Sequence, residues 1–151
     1  MIPTCIDQGL LLERAGVLLP WKSTKEDLMA LYSPRIVESD QKFMKIFYES
    51  ELIFEGLESQ ISIDFRPRSR FTSFEVFTLN SSLNARQEFR RVYEHLAQVF
   101  GETKIDLALG ELPYASWQTK FYSLQYFVFE RFGEYCVLNF QRKRIASQST
   151  K

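Results

Sequence analysis

His95 is the single histidine of the 151-residue chain, and Cys5 and Cys136 are its two cysteines. Proton transfer by an imidazole requires a partner group within hydrogen-bond reach in a pocket, and none can be nominated around His95. On a helical wheel it lies about 100° from the centre of an apolar arc, beside Glu88 and Arg91, so we expect a solvated boundary residue. The cysteines are far apart and in no CxxC or Cys/His array, so a zinc site and a disulfide framework are both disfavoured. Cys136 reads as a reduced, buried strand thiol.

Carboxylates pair in sequence at Glu49/Glu51, Glu55/Glu58 and Glu26/Asp27. Glycoside hydrolysis or magnesium binding needs carboxylates brought from distant elements into one cleft, and these spacings look like solvated loops and helix starts. No GxSxG, phosphate-loop or dinucleotide fingerprint is present. We therefore expect no cofactor and no metal, and an enzyme with an undetected carboxylate site is only the third reading.

Two basic clusters remain: Arg66, Arg68 and Arg70 around a turn, and Arg142, Lys143 and Arg144 after the last strand. With Phe71 and Tyr126 they could make a basic, aromatic surface for single-stranded nucleic acid. Against this, 19 basic and 19 acidic side chains cancel, leaving no overall field to attract polyanions. Charged turns that block edge pairing are the plainer explanation.

The elements that position these groups are legible from periodicity. Within Asn80–Gly101, residues Ala85, Phe89, Val92, Tyr93, Leu96, Val99 and Phe100 fall on one arc of a helix, with Gln87, Arg91, Glu94 and Gln98 opposite. Ser81, Ser82 or Asn84 can cap its start, and Gly101 can end it. Ile61, Ile63 and Phe65 alternate with polar residues, Pro67 to Arg70 turns, and Phe71 to Leu79 returns as a second arm covered on both sides. A second hairpin joins Phe121–Glu130 to Tyr135–Arg142, with Leu124, Tyr126 and Val128 sharing a face with Cys136, Leu138 and Phe140.

Upstream, Leu10 to Ala15 reads as a helical turn or irregular arm, and Ala15 to Trp21 as a short strand stopped by Pro20. A short helix from about Thr24 to Tyr32 follows a Ser23–Glu26 capping box. Residues 40–58 admit one or two short strands, Asp106–Leu112 an irregular turn, and Tyr114–Lys120 the start of a strand. The tail 143–151 is expected to fray. The sum is a single α+β domain with one antiparallel sheet of about five or six strands in hairpin–helix–hairpin order, one long amphipathic helix on one face and a short N-terminal helix.

Aromatic residues make up 15% of the chain, enough for a thick core, an aromatic interface, or both. One sheet face takes the helix, so Phe77, Phe127, Phe129 and Tyr135 need other cover. The N-terminal segment with Trp21 and Tyr32 is the first expectation, and a second copy or a protein partner is the alternative. The start MIPTCIDQG lacks a basic region followed by an apolar run, so we expect no signal peptide, no membrane segment and a cytoplasmic location.

The order AGVLLPW, short capped helix, hairpin, helix ending in FG, and hairpin carrying ERFGEYCVLNF resembles small uncharacterised bacterial proteins, some similar to immunity proteins of toxin–immunity systems. The likeness spans roughly residues 15–142 as an order of elements. It implies a non-enzymatic protein that binds and blocks a cognate toxin, and it assigns no particular residue. A nucleic-acid-binding or regulatory module using the basic clusters is the alternative.

Overall fold

A computed structural model describes residues 6–34, 36–39, 43–77, 83–107, 112–130 and 133–143. The chain begins with a separate two-stranded sheet, β1 (Gly9–Leu12) paired with β2 (Val17–Pro20). The expected helical turn at Leu10–Ala15 is therefore replaced by a strand and its hairpin turn. Leu10, Leu11 and Leu12 form an unbroken apolar run without a period, which suits either state, and pairing decides it. Gly9 permits that pairing, because a Cβ there would lie 2.1 Å from the Leu19 carbonyl oxygen.

Helix α1 (Lys25–Leu31) follows. Its capping box is formed by Thr24 and Asp27, one residue later than expected. Ser23 is otherwise engaged, its hydroxyl donating to the Pro20 carbonyl at 2.7 Å.

The main sheet has eight strands, not five or six, and the order β3-β4-β5-β6-β10-β9-β8-β7. These are β3 (Ile36–Ser39), β4 (Met44–Ile53), β5 (Leu57–Phe65), β6 (Ser73–Phe77), β7 (Ile105–Leu107), β8 (Pro113–Gln118), β9 (Tyr122–Glu130) and β10 (Glu134–Arg142), all antiparallel to their neighbours. With the separate hairpin this corrects the single-sheet expectation. The added strands β3 and β7 are short edge pieces with too few residues to show a period. The uncertain stretch before Gly56 forms one long hairpin with β5. Its ambiguity has a cause: the register slips between Tyr48 and Glu51, where Ser50 takes φ +59°, so alternation is interrupted.

Helix α2 (Ala85–Phe100) matches the expected periodicity, with Phe89, Val92, Leu96 and Val99 buried. Asn84 is its cap, in a reciprocal box with Gln87, and Gly101 at φ +95° ends it. Ser81, Ser82 and Leu79 lie outside the described residues, as do Cys5, Arg144 and most of the expected tail. No helix among the described residues is long and apolar enough to cross a membrane.

The two halves of the sheet, β3 to β6 and β7 to β10, meet where β6 pairs with β10, with Val76 opposite Leu138 and Phe74 opposite Phe140. Directly opposed residues point to the same side. Ile46, Ile61, Ile63, Val76, Leu138, Tyr126 and Ala115 therefore share one face, and all are buried. Helix α2 covers the part of that face over β8 to β10, where Phe89 stacks on Tyr126 with centroids 5.0 Å apart. The β1–β2 hairpin and α1 cover the rest, with Trp21 flat on Phe140 at 5.6 Å and Tyr32 stacked on Tyr48 at 5.5 Å. Phe54, in the β4–β5 turn, meets Phe100 of α2 edge-on at 5.0 Å and Phe140 of the sheet at 6.0 Å.

Candidate functional site

Both covers occupy one face. Trp21 and Tyr32 thus do not shield Phe77, Phe127, Phe129 and Tyr135, which sit on the opposite side. That side carries none of the described helices, and β6 is not covered on both sides as its sequence suggests. Phe127 contacts Phe129 at 6.4 Å, and Phe129 contacts Tyr135 at 5.6 Å. Phe77, on β6, shares their face but makes no ring contact with them; Phe77, Phe127 and Phe129 are half-buried and Tyr135 is 47% exposed.

Next to this cluster the same face turns polar. Following the register across the strands, Ser62 lies opposite Glu75, Glu75 opposite Asn139, and Asn139 opposite Gln125. Asp64, Ser73, Gln141 and Ser123 form the neighbouring row. Together they line a groove of about 250 Å³. Ser123 Oγ accepts from Gln118 Nε2 at 2.8 Å, so the β8 side is internally bonded. Lys45 reaches Asp64 at 3.6 Å on the other side. Asn139 Oδ1 is buried without a hydrogen-bond partner among the described residues. Sequence reading missed this site. Ser62 and Asp64 were recognisable as a polar face, but only the β6–β10 register aligns them with Asn139 and Gln125.

Beyond the groove the sheet ends in positive charge. Arg142 N donates to Thr72 O at 2.8 Å, Lys143 N to Phe121 O at 2.7 Å, and Lys22 N to Phe71 O at 2.7 Å. The turn bearing Arg66, Arg68 and Arg70 and the end of β10 are thereby brought to the same end of the molecule. Arg66, Arg68 and Arg70 are exposed, and Arg70 Nη1 approaches Lys22 O at 3.4 Å. Phe71 and Tyr126, the aromatics expected to join them, are buried on the covered face.

The remaining chemical candidates are structural. His95 Nε2 donates to the Phe54 carbonyl at 2.7 Å, fastening α2 to the β4–β5 turn, so it is half-buried and bonded, not solvated. Glu88, 4% exposed, is held by Arg91 through two bonds of 2.9 and 2.7 Å. The Glu49/Glu51 pair is split: Glu49 is exposed, while Glu51 is 3% exposed and accepts from Tyr32 Oη at 3.1 Å. That bond and burial raise the Tyr32 phenol above its ordinary value. Burial pushes Tyr48 up to about 12. Glu55 and Glu58 are exposed and Asp27 belongs to a cap. Cys136 Sγ donates to Ala85 O at 3.0 Å, and burial pushes its thiol up, away from the nucleophilic form. Among the described residues no group of three His, Cys, Asp or Glu is placed to hold a metal ion.

No protein-family model matches the chain, and no curated protein matches it significantly. Among solved structures it is similar to a DUF4309 family protein (YjgB) from Bacillus subtilis, at 15% identity and a TM-score of 0.44 over 81% of this chain and 80% of that one.

Proposed function

We propose that this is a cytoplasmic protein that acts by binding another protein through the uncovered sheet face, without catalysis. The observation that carries this reading is the Phe127–Phe129–Tyr135 cluster on the side away from both α2 and the N-terminal hairpin. Rings of this size at the centre of an interface supply much of its binding energy. A toxin neutralised by occlusion is the specific partner proposed, from the resemblance in element order. The test compares wild type with a Phe127→Ser/Phe129→Ser variant of unchanged unfolding midpoint as immobilised bait. A protein retained by wild type and lost by the variant supports the reading, and equal capture by both rejects it. Growth arrest by the captured protein, relieved by wild type alone, tests the toxin assignment.

A second reading has its own support, the convergence of Arg66, Arg68, Arg70, Arg142 and Lys143 at one end of the sheet. It assigns that end to a polyanion such as single-stranded nucleic acid. Binding of a labelled oligonucleotide, followed by anisotropy, should weaken steeply with salt. Absence of binding at low salt removes this reading.

A further inference from the structure

We propose that the groove on the uncovered face receives an arginine side chain of the protein partner, a proposal that rests on reading this face as the partner surface. Glu75 and Asn139 are direct cross-strand neighbours, which places their Cβ atoms about 5 Å apart and lets both side chains reach one point. Among the described residues the Glu75 carboxylate has no ion pair or hydrogen bond, and Asn139 Oδ1 is a buried acceptor with no donor. Ser62, only 4% exposed, adjoins Glu75, and its hydroxyl has no hydrogen bond among the described residues. The row thus sets one full negative charge, the Glu75 carboxylate, beside an unsatisfied amide oxygen at the wall of the groove.

A guanidinium answers this arrangement best. Its planar fork can give two N–H groups to the Glu75 carboxylate, and a turn of the Asn139 side chain would bring its Oδ1 out to another N–H. Lysine offers one compact, strongly hydrated charge and cannot span both acceptors in a plane. The partner segment therefore sets apolar side chains against Phe127 and Phe129 and, beside them, one arginine over Glu75.

The test uses the full chain and a defined probe. N-acetyl-arginine amide is titrated into isotope-labelled protein in the millimolar range and followed by amide spectra, with the lysine and citrulline amides as controls. Saturable shifts are expected at Ser62, Glu75 and Gln125 and at the Asn139 side-chain amide, with no saturation by the neutral citrulline isostere. Glu75→Gln should weaken the affinity about tenfold or more, and Asn139→Asp should strengthen it. Arginine shifts that fail to saturate, match those of citrulline or survive Glu75→Gln overturn the proposal, and lysine binding as tightly as arginine overturns the guanidinium assignment. A partner captured through Phe129 with no arginine binding sinks this proposal alone. Saturable arginine binding in a protein whose captures ignore Phe129 sinks the partner reading instead.

Discussion

Trp21 lies flat on Phe140, their ring centroids 5.6 Å apart and their planes within 4°. This contact puts the N-terminal hairpin on the same side of the sheet as α2, so the opposite side carries neither of the described helices. Its indole Nε1 also donates to Ile6 O at 2.8 Å, so the polar tip is satisfied while the ring is buried.

Trp21→Ala should accordingly be among the most damaging substitutions in the chain. Removing a buried indole that meets Phe71, Phe74 and Phe140 should cost about 3–5 kcal/mol, read from the urea midpoint. A loss below about 1 kcal/mol would place this segment outside the cooperative core.

Glu13 ties the same hairpin to the main sheet from its turn. Its carboxylate accepts from Glu55 N at 2.6 Å and Gly56 N at 2.8 Å, where Phe54 and Glu55 both have positive φ. Glu13→Gln keeps the size but loses the charge and one acceptor oxygen, and should cost about 1 kcal/mol. The Glu55 and Gly56 amides should exchange faster with solvent in this variant, and unchanged exchange would show that the clamp is not formed.

How much of this was readable in advance depended on how local the cause was. Helix α2 was legible because its arc from Phe89 to Val99 and its ends at Asn84 and Gly101 lie in one continuous stretch. The β9–β10 hairpin was legible for the same reason, and Val128 does face Cys136 as Leu124 faces Phe140. His95 was not, since its partner is a backbone carbonyl 41 residues away that no side-chain type announces. The groove was least legible of all. Glu75 and Asn139 meet only because β10 returns across α2 to pair with β6, and no periodicity in either strand records that register.

Alkaline pH should weaken the fold through Tyr48. Its phenol donates to Tyr32 O at 3.0 Å and is pushed up to about 12, chiefly by burial, from an ordinary value of 10.0. The protonated form is the one the folded state favours. Its contribution is therefore complete below pH 10 and is lost as the pH rises from 10 through 12. Tyr32 and Tyr122 are raised as well and act in the same direction. Tyr48→Phe should lower the urea midpoint at pH 8 yet flatten its decline above pH 10, and parallel declines in the two proteins would remove Tyr48 as the cause.

Cys136 offers a reporter for the first turn of α2. Its thiol donates to Ala85 O at 3.0 Å beneath that turn, and burial keeps it protonated. Disulfide reagents attack the thiolate, so modification requires the turn to lift and the thiol to reach water. In a Cys5→Ser background only Cys136 reacts, and its rate in the native protein should fall orders of magnitude below that in denaturant. Asn84→Ala removes the cap that accepts from Gln87 N at 2.9 Å. That loss of about 1 kcal/mol should speed labelling several-fold wherever opening of the helix start limits the reaction. Labelling that ignores Asn84→Ala but follows the global unfolding midpoint would show instead that α2 opens only with the whole sheet.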